Sequence, residues 1–152
     1  MINSPLRLKA EEGPDLEVIS TCLQDAIARI EDMTYIPRLC RFAMVLTRFR
    51  WESADQMGPQ GGVRVRCGVH FDNVLRVRAL SIDMTDRAGL LPLLAVTCEE
   101  AEYGFTIQLQ FGGGGTIRLE VEAVTCSLSD IDQGWPTPSR PDHGLGPKGG
   151  YP

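Results

Sequence analysis

From about Asp32 to Ile131 apolar residues recur at every second position, and this single pattern excludes most folds. Strand side chains point alternately to opposite faces, so a run that alternates apolar and polar residues predicts a half-buried strand. "VRVRCGVHF" (63–71) has Val63, Val65, Cys67, Val69 and Phe71 inward and Arg64, Arg66, Gly68 and His70 outward. "YGFTIQLQF" (103–111) sets Tyr103, Phe105, Ile107, Leu109 and Phe111 inward. "TIRLEVEAVTCSL" (116–128) begins with Ile117, Leu119 and Val121 inward, then changes phase to Val124, Cys126 and Leu128. The phase change predicts a bulge or bend near Ala123.

"RFAMVLTRFRW" (41–51) is apolar on both faces, with Phe42, Met44 and Leu46 on one side and Ala43, Val45, Phe49 and Trp51 on the other. A strand covered on both faces has this composition. The first side ends in Arg48 and Arg50 and is expected to emerge into water there. "PLRLKA" (5–10), "VLRVRALSI" (74–82) and "LPLLAVTCE" (91–99) complete the strands, and Asp72-Asn73 predicts a turn between the 63–71 and 74–82 strands. Before this region the period switches. Leu16, Ile19, Leu23, Ala26, Ile27 and Ile30 fall at helical spacing, predicting a helix over 15–30 that Asp15 or Gly13 caps and Pro14 begins. The fold class is therefore α+β: a bent antiparallel sheet or partly open barrel of about seven to eight strands with one helix near the N-terminus. A pleckstrin-homology-like roll fits that strand count and meander order.

The run Gly112 to Gly115 asks for a choice between a phosphate cradle and a turn. A phosphate loop needs Lys and a following helix. Here Thr116 stands where Lys belongs and Ile117 starts a strand, so a hairpin turn with positive φ angles is expected. Beyond Ile131, residues 132–152 hold five glycines and five prolines. Residues 1–131 are expected to form one globular domain and 132–152 a flexible tail, with Trp135 docking back onto the sheet.

Charge is segregated along the chain. Residues 38–78 carry eight arginines against three acids, a balance of +5, whereas the whole chain is −5. A tight turn at 72–74 would gather Arg64, Arg66, His70, Arg76 and Arg78 on one outer face, with Arg48 and Arg50 emerging beside it. Arginine surfaces of this kind suit carboxylate and other anion recognition, although Arg on a strand face also discourages aggregation. The candidate binding residues are thus Arg48, Arg50, Arg64, Arg66, His70, Arg76, Arg78 and Trp135, and the expected partner is an acidic protein or a small anionic ligand. The acidic balance argues against nucleic acid or anionic membrane.

Other constellations carry little chemistry. Cys67, His70 and Asp72 resemble a nucleophile, base and orienter, but residues three apart on a strand face opposite ways. Glu99, Glu100, Glu102, Glu120 and Glu122 lack a calcium-loop pattern, and His143 stands alone in the tail. Cys22, Cys40, Cys67, Cys98 and Cys126 form no C-x-x-C pair, so no metal or other cofactor is expected and the thiols read as buried hydrophobes of a reducing compartment. No coherent catalytic set emerges, which points to binding rather than catalysis. The N-terminal stretch lacks an apolar leader core, and no run nears the roughly 18–20 apolar residues of a membrane span, so the expected location is cytoplasmic.

The stretches "RFAMVLTRFRWE" (41–52), "RCGVHFDNVLRV" (66–77), "GWPTPSRPDH" (134–143) and "DLEVISTCLQDAIARIEDMTYIP" (15–37) together resemble a family of small, mainly alphaproteobacterial proteins catalogued as a domain of unknown function. The resemblance covers about residues 5–143 and implies a bacterial cytoplasmic protein; it brings no catalytic residue or cofactor.

Overall fold

The computed structural model of the chain describes residues 5–52, 61–138 and 141. Strand β1 (Arg7–Ala10) leads into helix α1 (Gly13–Cys22). Then come β2 (Ile27–Ile36), a 3-10 turn at Pro37–Leu39, β3 (Arg41–Phe49), β4 (Gly62–Phe71) and β5 (Val74–Leu80). The chain continues through β6 (Leu90–Ala101), β7 (Gly104–Phe111), β8 (Thr116–Val121), β9 (Cys126–Asp130) and β10 (Trp135–Thr137). The described residues thus hold ten strands rather than seven or eight.

The additional strands come partly from the expected helix. It stops at Cys22, residues 23–26 turn the chain, and Ile27–Ile30 open β2. Leu16, Ile19 and Leu23 form the buried helical stripe, but beyond it Ala26, Ala28 and Ile30 are buried in alternation with Ile27, Arg29 and Glu31. Residues 26–30 satisfy both periods, and pairing decides between them. Ile27 and Ala28 meet Thr47 and Leu46 of β3 on one side and Pro92 and Leu91 of β6 on the other. Asp25, at φ 62°, makes the turn between helix and strand, a left-handed conformation that Asp tolerates better than most residues. Pro14 does open the helix, while the Asp15 carboxylate accepts the Glu11 N–H at 3.3 Å instead of capping.

The ladders among the described residues are antiparallel, and the strands follow the order β1-β9-β4-β3-β2-β6-β7-β8-β5, with β10 also on β4. The end strands β1 and β5 do not pair, so the sheet stays open. β6 belongs to both halves: Leu90–Pro92 pair with β2, and from Leu93 the strand pairs with β7, with a bulge between Leu93 and Ala95. Bending there brings the apolar faces together around Phe42, Leu46, Val69, Phe71, Ile107, Leu109, Leu119 and Leu128. Helix α1 closes one side with Leu16 and Ile19, and Ser20 Oγ accepts the Val96 N–H at 2.9 Å from the strand it covers.

The Asp72-Asn73 turn is a corner and not a hairpin. β4 pairs with β3, β9 and β10, whereas β5 pairs with β8 in the other half. Asn73, at φ 61°, donates from Nδ2 to Thr125 Oγ1 at 3.0 Å and accepts the Glu122 N–H at 3.0 Å. These bonds tie the corner to the β8–β9 connection, where the expected phase change occurs as a break between Val121 and Cys126. The glycine run forms the β7–β8 hairpin, with Gly113 and Gly114 at φ 88° and 90°. Tyr103, expected inward, is 87% exposed because it sits in the β6–β7 turn. β10 extends ordered pairing to Thr137, matching Trp135 to Arg64; the remainder of the expected tail lies outside the described residues except Pro138 and Pro141.

Candidate functional site

The outer face of β4 presents Arg64, Arg66, Gly68 and His70, as alternation predicts. Register completes the surface row by row: His70 lies between Ala43 and Ser127, Gly68 between Val45 and Ser129, and Arg66 opposite Thr47. Arg66 is exposed, and its backbone N–H and C=O are occupied by Asp132 Oδ1 and Ile131 N–H. Arg64 is half-buried, with its guanidinium 5.9 Å from the Phe49 ring centre. Phe49 is itself buried in an edge-on contact with Trp51 at 4.6 Å between ring centres. Glycine at position 62 makes room for this ring, because a Cβ there would collide with Phe49.

Beside these arginines runs a groove of about 720 Å³ across β2, β3 and β4. Ile27, Val45, Thr47 and the exposed Leu90 supply its apolar surface, Arg64 and Arg66 one lip, and Glu31 and Asp32 the other. A shallower depression of about 340 Å³ next to it is lined by Ala43, Gly68, His70, Ser127, Ser129 and the exposed Ile131. Asp72 joins His70 Nδ1 at 3.3 Å and Arg41 Nε at 2.7 Å. Cys67 is on the opposite, buried side of β4, so it and His70 do not meet. Burial pushes its thiol up to about 12, away from nucleophilic use near neutral pH.

Arg48 and Arg50 are not part of this surface. Both are buried, on the inward phase that Phe42, Met44 and Leu46 begin. Arg48 donates from Nε and Nη2 to the two carboxylate oxygens of Asp130, each at 3.0 Å. It also grips Glu52 through Nη1 at 3.0 Å and Nη2 at 2.7 Å. Arg50 Nη2 lies 4.0 Å from Asp130 and donates to the Gln133 carbonyl at 3.4 Å. Asp130 Oδ2 accepts the Leu6 N–H at 2.8 Å as well. Burial opposes the Arg48 charge, but hydrogen bonds to Glu52 and Asp130 outweigh it and hold the guanidinium above its ordinary pKa. Glu52 lies at the exposed rim of this group; partial burial raises its pKa, and the Arg48 hydrogen bond overcomes this and lowers it on balance. Among the described residues two cations and two carboxylates thus meet in a junction between β1, β3 and β9. A buried guanidinium bound this way is architecture, not a docking point.

Arg76 and Arg78 are exposed as expected, but in the other half of the sheet. Arg76 lies 3.7 Å from Glu120, while Arg78 stands directly opposite Arg118. Counting charge along residues 38–78 passes over Arg118, which only the β5–β8 register brings beside Arg78. Trp135 is 41% exposed on β10 next to Arg64. Among the described residues no three His, Cys, Asp or Glu side chains converge to hold a metal, and no helix is long and apolar enough to cross a membrane.

A family model described as "Protein of unknown function (DUF2948)" matches residues 6–143, so the chain belongs to that family. Among curated proteins and solved structures nothing matches the chain.

Proposed function

We propose that this DUF2948 domain is a non-enzymatic interaction module of the bacterial cytoplasm, and that the groove beside β4 receives an acidic segment of a partner protein. The observation that carries this reading is the exposed Arg66 at the lip of a groove with an apolar floor, next to Arg64. A carboxylate on the partner meets the arginines, and an apolar side chain fills the space over Ile27 and Val45. Leu90, Ile131 and Trp135 are exposed apolar residues near the same surface, and a binding surface combines such anchors with a charged rim. Five free cysteines, of which Cys67 and Cys126 are buried, support a reducing compartment. The groove volume also falls within the roughly 300–1,000 Å³ of small-molecule sites, which favours a small anion as the second reading.

Affinity capture from a native lysate with wild-type chain, Arg66→Glu and Arg78→Glu tests the proposal. Proteins recovered by wild-type and Arg78→Glu but lost with Arg66→Glu, in a salt-dependent manner, support it. Equal recovery by all three overturns it, and saturable binding of a small carboxylate or phosphate with no protein recovered moves the assignment to the second reading.

A further inference from the structure

Strand β5 ends the sheet. It pairs with β8 on one side, and its first residue is covered on the other, where Val74 N–H donates to Cys40 O at 2.9 Å and Tyr35 Oη donates to Val74 O at 2.9 Å. From Leu75 to Leu80 no described strand pairs with that second side. An open edge exposes backbone donors and acceptors that a further strand can use.

The side chains along this edge select what can pair. Arg76 and Arg78 are exposed on one face, with Leu75 exposed and Val77 and Ala79 half-buried on the other. Arg78 lies opposite Arg118, and like charges directly opposed across a ladder are unfavourable. Neither has an ion pair among the described residues, because the nearby Glu120 is engaged by Arg76. Arg118 Nε is buried without a hydrogen-bond acceptor there. A second copy of this chain is a poor occupant: antiparallel self-pairing about Val77 sets Arg76 against Arg78. An acidic strand fits instead. Its carboxylates at alternate positions fall beside Arg76 and Arg78, and its intervening apolar residues lie beside Leu75, Val77 and Ala79.

We infer that the free edge of β5 docks an extended acidic segment of a partner protein, held by backbone pairing along 75–80 and by carboxylates set against the Arg78–Arg118 row. The same arginines that repel a second copy give the edge its choice of partner. This surface is separate from the groove beside β4 and does not depend on it.

The test uses the full chain and a short blocked peptide alternating glutamate and valine, with its lysine–valine counterpart as control. Amide NMR and hydrogen exchange give the readout. The expected result is saturable shifts at Leu75–Leu80 and about tenfold slower exchange of the open-edge amides at saturation, with the acidic peptide alone. Arg78→Glu should reverse the preference at Leu75–Leu80 toward the lysine peptide, whereas Arg66→Glu should leave the acidic-peptide shifts at Leu75–Leu80 in place whatever it does at the groove beside β4. Melting temperature checks folding, and Arg78→Gln replaces the charge reversal if that variant does not fold; it should weaken acidic-peptide binding and its salt dependence. No shift at millimolar peptide, equal binding of both peptides, shifts confined to other strands, or binding indifferent to Arg78 overturns the inference.

Discussion

Asp130→Ala is the sharpest test of the buried junction. The substitution removes two Arg48 hydrogen bonds of 3.0 Å, the acceptor for Leu6 N–H, and a carboxylate 4.0 Å from Arg50. Deleting one partner of a buried ion pair costs about 3–5 kcal/mol, because the charge left behind is desolvated without compensation. An orphaned backbone donor adds about 1–3 kcal/mol. Glu52 still holds Arg48 through two bonds, which keeps the expected total near 4 kcal/mol. For a domain of this size that corresponds to a fall in melting temperature of about 8–16 °C. Urea titration with far-UV circular dichroism measures it, with Glu99→Ala as an exposed control expected to shift stability by no more than about 0.5 kcal/mol. The double variant Arg48→Met/Asp130→Leu should cost clearly less than the sum of its two singles, since it leaves neither charge facing an empty partner. A loss below about 1 kcal/mol for Asp130→Ala, or additive singles, would refute the reasoning.

Three further outcomes follow from the same geometry. The folded pKa of Glu52 lies below its ordinary 4.5, so its ion pair stabilises the fold above that value and is lost as pH falls through the folded pKa; acid titration of Glu52→Gln should show a shallower loss of stability below pH 4.5 than wild-type. Burial pushes the Cys67 and Cys126 thiols up to about 12, so alkylation followed by mass spectrometry should label Cys22, Cys40 and Cys98 first and these two only on unfolding. Gly134 sits at φ 84°, and a Cβ would lie 2.6 Å from Arg64 O, so Gly134→Ala should detach β10, seen as faster exchange of the β10 amides with global stability reduced by about 1–3 kcal/mol.

Alternation carried most of the fold because burial on a sheet is a local, two-state property of each side chain. Val63 to Phe71 and Ile107 to Phe111 show it directly. It failed where two periods overlap, at Ala26 to Ile30, since spacing alone does not reveal that neighbours flank both edges. It also failed at Arg48 and Arg50, where a charged side chain does not face water. Of the two carboxylates that hold Arg48, Glu52 is four residues away at an exposed rim, and the buried one, Asp130, is 82 residues away. One signal was present: Asp130 continues the inward phase of Cys126 and Leu128, so an acid and an arginine each occupy a core-facing position. The supposed arginine face divided for a topological reason, because Asp72-Asn73 redirects the chain to the other half of the sheet. Arg64, Arg66 and His70 remained together, and Arg76 and Arg78 gained Arg118.

The dependence of Arg48 on a carboxylate 82 positions later has a consequence for biogenesis. During translation at about 5–20 residues per second, some 4–16 s pass between the appearance of Arg48 and that of Asp130. Until then β3 cannot bury its charged end, and β1 lacks β9, its ladder partner. The amino-terminal half must therefore wait, solvated or chaperoned, for a late segment to lock it. A nascent chain arrested with Ser129 as its last residue outside the ribosome should remain protease-sensitive throughout β1 to β3, whereas one arrested after Pro141 has emerged should resist; resistance at the earlier length would show that the first strands settle without the lock.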